Sequence, residues 1–220
     1  MSEVIVDTLK HSGNSSTANL TLASSGAVTT ADDLTVGDNL VATKQNGCQR
    51  IILEQFYSPC DGSVITLQDG DHTLGNVTAV QDLTTSYADV NGSSFSYTPP
   101  SGTTQVIYEF HGMHGSEPDV WPIPHFRLYL DSDEVVYQRK TVTANNYFEG
   151  QWYIKYGFNI GGTANTNTGR VASWTSAKTI KIQARDYSAG YDAELFRFDH
   201  WDGTAGPIFN QPTIGITAIG

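Results

Sequence analysis

Apolar and polar residues alternate with a period of two along much of the chain, in short runs punctuated by Gly, Asp, Asn, Ser and Pro. Val106, Tyr108 and Phe110 share one face of their run, with Ile107 and Glu109 on the other. Phe126, Leu128 and Leu130 alternate with Arg127 and Tyr129, and Ile180, Ile182 and Ala184 with Lys181, Gln183 and Arg185. Near the C-terminus Ile214, Ile216 and Ala218 alternate with Thr213, Gly215 and Thr217. Strand side chains point to opposite faces in turn, so each run predicts a strand with one face in a core. Phe95 and Tyr97 precede a stop at Pro99-Pro100, and Val64 to Leu67 lies between turns at Asp61-Gly62 and Asp69-Gly70. The aromatic run Trp152 to Phe158 closes at Gly161-Gly162, and Phe196 and Phe198 lead into the turn 199–203. The run around Ile51, Ile52, Leu53 and Phe56 suits a short helix or a strand, and its surroundings favour a strand. About eight to ten strands without a convincing helix predict an all-β fold, an antiparallel β-sandwich of jelly-roll type.

The beginning of the chain differs. Residues 1–45 contain no Phe, Trp, Tyr, Cys or Pro, and their apolar residues come in brief bursts: Val4-Ile5-Val6, Leu20-Thr21-Leu22, Leu34-Thr35-Val36 and Leu40-Val41. Such strands offer one or two apolar side chains each and cannot bury a core unaided. The expectation is a short β-stranded attachment or shaft segment at 1–46, intertwined in an oligomer, ahead of a knob domain at 47–220; the plainer reading is a loose N-terminal tail.

Composition supports the β reading and narrows the partners. Only 16% of residues are charged, against roughly 25% in an average domain, while aromatics reach 11%, too many for disorder. Lys and Arg number 12 against 23 Asp and Glu, a net charge of -11 that repels phosphate backbones and anionic headgroups. Nucleic-acid binding and membrane insertion are therefore not expected. The opening Met1-Ser2-Glu3-Val4 lacks the basic and apolar regions of an export signal, so Cys48 and Cys60 are expected as reduced thiols.

Candidate chemistry is sparse. His111-Gly112-Met113-His114-Gly115, with His125 downstream, offers imidazoles for a metal, although two exposed loop histidines are the plainer explanation. Asp69-Gly70-Asp71-His72 and Asp131-Ser132-Asp133-Glu134 have calcium-type oxygens without EF-hand spacing, and ordinary structural turns are the favoured explanation. No nucleophile elbow, P-loop or dinucleotide fingerprint is present, so neither an enzyme nor a cofactor is expected. Aromatics in glycine-punctuated loops are more suggestive, because Trp and Tyr bring rigid area with a polar edge to a sugar or protein surface. Trp121 among Pro118, Pro122 and Pro124, together with His114, Tyr147, Phe148, Tyr187, Tyr191 and Trp201, are the candidate receptor or glycan contacts. Trp121 and Trp201 could instead cap the ends of a sandwich.

The stretch Val4-Ile5-Val6-Asp7-Thr8-Leu9, followed by NLTLASSGAVTT, resembles the N-terminal segments of tail-fibre and head-fibre proteins of marine bacteriophages, including cyanophages. SPCDGSVITLQDG, FSYTPPSGTTQVIYEF, HFRLYLDSDEV, GRVASWTSAKTIKIQARDYS, FDHWDGT and PTIGITAIG resemble a C-terminal domain of structural proteins from such phages, with weaker coverage around 140–160. The resemblance implies a homotrimeric virion fibre, docked on other virion proteins through residues 1–46, with an exposed β-sandwich knob that binds a host-surface glycan or protein. It brings no catalytic residues. A capsid decoration protein, a surface-glycan depolymerase and a stand-alone lectin are the alternatives.

Overall fold

The computed structural model describes residues 50–116, 120–143, 149–198 and 208–220, with the backbone of five short strands before them. By contacts the chain divides into two compact units, Met1–Gln49 and Arg50–Gly220. In the first unit, Thr8–Leu9, Leu20–Leu22 and Val28–Thr30 form a three-stranded antiparallel sheet. Leu34–Val36 and Asn39–Val41 pair antiparallel. The burst at Val4–Val6, and Cys48, lie outside the described residues.

Eight strands make up the sandwich of the second unit, with further short strands at its edges and in its connections. They are β1 (Ile52–Pro59), β2 (Phe95–Tyr97), β3 (Gln105–Gly115), β4 (Pro124–Leu130), β5 (Lys140–Thr141), β6 (Gly150–Asn159), β7 (Lys178–Asp186) and β8 (Thr213–Ile219). One antiparallel sheet has the order β1-β8-β3-β6 and the other β2-β7-β4-β5. The pairs β1·β8, β2·β7, β3·β6 and β4·β5 are nested, as if one long hairpin had been rolled over a core, which is the jelly-roll arrangement. The described residues contain no α-helix; Val136–Gln138 and Thr166–Thr168 are single 3-10 turns. The fold is therefore the all-β antiparallel sandwich that the period-two runs predict.

The core lies between the sheets. Val106, Tyr108 and Phe110 from β3, and Trp152, Ile154 and Phe158 from β6, meet Phe126 and Leu128 from β4 and Ile180, Ile182 and Ala184 from β7, all buried. The sheets are joined most closely where Phe126 stacks on Trp152, ring centroids 4.3 Å apart. A hairpin of Val64–Leu67 and Gly70–Thr73 leaves β1 and adds Ile65 and Leu67 to this core. Cys60 is a free, buried thiol pushed up to about 12, first by burial and then by the charge of Asp61.

Register also fixes the two ends of the unit. Ile51 bonds Gly220, and Gln105 pairs with both Ile219 and Asn159, so Arg50, where the first unit joins, and the C-terminus share one end. Pro59, His111, Thr213, His114, Gly150, Pro124 and Asp186 pair towards the opposite end, called the far end below.

Candidate functional site

The outer face of the β1-β8-β3-β6 sheet holds a groove of about 210 Å3 towards the far end. Register explains its composition. Tyr57, Gly215, Glu109 and Lys155 lie side by side in one row across the four strands, and Pro59, Thr213, His111 and Tyr153 form the next outward row. Gly215 makes the floor, because a Cβ there would stand 2.1 Å from Cδ1 of Tyr57. Its missing side chain lets the Tyr57 ring fold down across β8, and the Tyr57 hydroxyl lies 3.3 Å from Thr217 Oγ1. Tyr57 is 55% exposed and Tyr153 61%, so two aromatic rings stand at opposite sides of the groove.

Polar groups run between them. Glu109 is ion-paired with Lys155. Burial pushes the Glu109 carboxyl up, but the Lys155 and Tyr57 hydrogen bonds and the Lys155 charge outweigh it and hold the group below the usual carboxylate range. His111 and Thr213 are exposed beside the pair, and Lys140 Nζ sits 4.3 Å over the Tyr153 ring. Rings, a carboxylate, cations and a hydroxyl around a floor without side chains suit a small polyhydroxylated ring. The volume, below the roughly 300–1,000 Å3 of drug-sized pockets, admits about one such ring. Gly215→Ala is expected to lift the Tyr57 ring and to lower the melting temperature, since the added Cβ would also meet the Phe56 backbone carbonyl oxygen at 3.0 Å. Tyr57 ring resonances and a thermal melt check this; an unmoved ring would contradict the floor assignment.

The sequence-predicted contacts fare unevenly. The stretch 111–115 is not a loop: it belongs to β3, and His111 and His114 point to opposite faces, so they cannot share a metal ion. His114 is 1% exposed, which removes it as a receptor contact. It packs so closely on β6 that a Cβ at Gly150 would lie 2.5 Å from its Cε1. Neither ring nitrogen has a hydrogen-bond partner among the described residues, and burial lowers the imidazole to about 4, offset in part by the Gly150 backbone. The calcium-type loops are spent on turns: Asp69 holds His72 at 2.6 Å and the Thr98 amide at 2.8 Å, and Asp131 holds Lys178 and the Thr179 amide, each at 2.8 Å. Trp121 is 53% exposed between the buried Pro122 and Ser116, whose hydroxyl bonds the Val120 carbonyl at 2.7 Å, so it is not a core lid. Tyr187 and Tyr191 meet edge to face at 5.3 Å, and Tyr187 lies 5.8 Å from His125. Tyr147, Phe148 and Trp201 lie outside the described residues.

The groove itself was missed by sequence reasoning, which favoured loops. Its signal was present: Tyr57 on the outward positions of its run, and Gly215 interrupting the alternation of β8 on that same face.

The sequence matches no protein-family model and no curated protein. Among solved structures it is similar to infectious bursal disease virus of the Gt strain, at 13% identity and a TM-score of 0.24 over 72% of this chain and 45% of that one. It is also similar to the VP2 subviral particle of that virus, at 12% identity and 0.26 over 72% and 46%, and to the Gx strain, at 10% and 0.25 over 68% and 39%. The chain spans less than half the length of each. At TM-scores this low the likeness adds nothing to the strand pairings given above.

Proposed function

We propose that this chain is a structural protein of a virus particle: a trimeric fibre or spike that docks through its first unit and presents its jelly roll as a host-contacting knob. The observation that carries the reading is the position of the groove, on an open sheet face towards the end of the unit remote from Arg50. A knob joined to a particle at Arg50 would present that end outward. The jelly-roll topology is one that viral capsid and lectin domains use, though topology alone does not give a function. The phage-fibre resemblance of the N-terminal segment and of PTIGITAIG supplies the virion context.

Binding rather than catalysis suits the groove. Glu109 is the one carboxylate among its lining residues, where glycoside hydrolysis needs two. The ligand would be a glycan on the host surface, with the Tyr57 and Tyr153 rings against it.

Two measurements test the proposal. Light scattering on the full chain is expected to give a trimer; a monomer at every concentration would favour a decoration protein instead. Labelled protein should bind host cells, and Tyr153→Ala and Trp121→Ala should each lower that binding about tenfold without moving the melting temperature. Undiminished binding by both variants would remove the far end as the receptor surface.

A further inference from the structure

The outer face of the other sheet carries two neighbouring guanidiniums that share one tyrosine ring, and between them they have a single long ion pair, from Arg127 to Glu134 at 3.5 Å, among the described residues. His125 pairs with Arg185 and Arg127 with Gln183, so Arg127 and Arg185 are diagonal neighbours on that face. The ring of Tyr87 serves both: the guanidinium carbon of Arg127 is 3.9 Å from its centroid and that of Arg185 5.3 Å. Other cations on this face have their own acids. Lys181 donates to both oxygens of Asp89 at 3.0 and 3.1 Å, and Arg139 holds Glu134 through two bonds of 2.6 and 3.1 Å.

Glu134 leaves Arg127 a contact of only 3.5 Å, and Arg127 Nε has no hydrogen-bond partner among the described residues. Arg185 forms no ion pair among the described residues. It donates to the carbonyls of Asp186 and Tyr187, both at 3.1 Å. The Asp186 carboxylate is on the other face of the strand, accepting from the Ala193 amide at 3.0 Å. Next to the pair stand His125 and the half-exposed Tyr187 ring.

We propose that this face is a second binding site, distinct from the groove, which holds an oxyanion borne by a sugar between Arg127 and Arg185, with the sugar ring against Tyr187. A guanidinium is a planar fork that matches a carboxylate or sulfate oxygen pair, and two forks on one tyrosine ring are preset for it. The rest of the molecule limits the ligand. On a chain of net charge -11, two such guanidiniums can hold an isolated anionic group but not a continuous polyphosphate. A carboxylated or sulfated glycan has its anions spaced among hydroxyls and fits that limit.

The test uses the full chain and calorimetric titration with four probes: a heparin-derived sulfated oligosaccharide, an oligogalacturonate, a neutral maltooligosaccharide of equal length and sodium sulfate. At least one charged oligosaccharide should bind, the neutral one should not bind at this face, and affinity should fall with added salt. Which charged probe binds assigns sulfate or carboxylate. Arg185→Gln should weaken binding about tenfold or more and Arg185→Lys by less, whereas Tyr153→Ala in the groove should leave it unchanged. Arg127→Gln serves as a second variant should Arg185→Gln fail to fold. Equal binding of charged and neutral sugars, or no effect from either Gln variant, overturns the proposal. Sulfate alone binding as tightly as the saccharide would reduce the site to a simple anion contact and overturn it too, as would tighter binding of a DNA oligonucleotide. Because the groove variant is read in the same titrations, failure here is separable from failure of the groove as receptor site.

Discussion

Trp152→Ala is expected to destabilise the jelly roll by about 3–5 kcal/mol, the range for emptying a large aromatic from a packed core. Trp152 is fully buried where the two sheets touch through stacked rings, with Phe126 at 4.3 Å on one side and Phe110 at 5.5 Å on another. The β3·β6 ladder on its own sheet and the β4·β7 ladder facing it limit how far the cavity can collapse. The indole N–H also donates to the Met113 carbonyl at 3.1 Å, but that oxygen keeps the Phe196 amide at 2.7 Å, so the lost bond adds little. Against a total stability of roughly 5–15 kcal/mol the variant should unfold at a much lower urea concentration and melt roughly 6–20 °C earlier. An unchanged urea slope with a lower midpoint would confirm a packing loss. A shift worth less than about 1 kcal/mol would mean that the sheets are held elsewhere.

The second large effect depends on acid. His114 is lowered by burial from 6.5 to about 4, so the unfolded chain takes a proton that the folded one refuses. Stability from this group is complete above pH 6.5 and is lost as pH falls through 4. Asp186 runs the other way. Burial raises it from 3.8 to about 6, against the pull of the Ala193 amide and with help from the charge of Asp192. Stability from this group is complete below pH 3.8 and is lost as pH rises through 6. The His114 shift is worth up to about 3 kcal/mol, and that of Asp186, which solvent screens more, is worth less. In the window from 4 to 6 the two slopes oppose. Separating them exposes both: relative to the parent, His114→Leu should gain up to about 3 kcal/mol on going from pH 6.5 to 4, and Asp186→Asn should lose a smaller amount. The buried Glu194–Arg197 pair is common to all three proteins and drops out of the comparison. Urea midpoints at several pH values measure this, and parallel curves for the three proteins would sink the assignment.

Strand existence was legible wherever one face is buried and the other solvated, because burial then writes a period of two. β3, β4 and β7 are such strands, whereas β8 keeps the alternation of residue types although Gly215 and Thr217 on its outer face are buried as well. The reading failed at 111–115 for a physical reason. Glycine normally marks a turn, but Gly112 sits in mid-strand because the Phe196 ring covers it, a Cβ there lying 3.1 Å from Phe196 Cε1. That ring comes from more than 80 residues away in the chain, so local pattern could not reveal it. The groove was illegible for a related reason. Its four-residue row draws one residue from each of four strands, and only register brings Tyr57, Gly215, Glu109 and Lys155 together. Trp121 was easier, since the prolines around it announce a segment that cannot join a central ladder.

The strand β8 is an interior strand of its sheet, and its pairings reach back more than 160 residues, from Ile219 to Ile52. During synthesis β1 and β3 therefore emerge long before the strand that belongs between them, and the sandwich cannot close until Ile219 has left the ribosome. Closure thus waits on strand pairings remote in sequence, which form slowly. Loss of β8 would leave an open sheet with two unpaired edges rather than a slightly smaller domain. Arrival of β8 then becomes a checkpoint, passed only by chains that carry it before any copy can join an assembly.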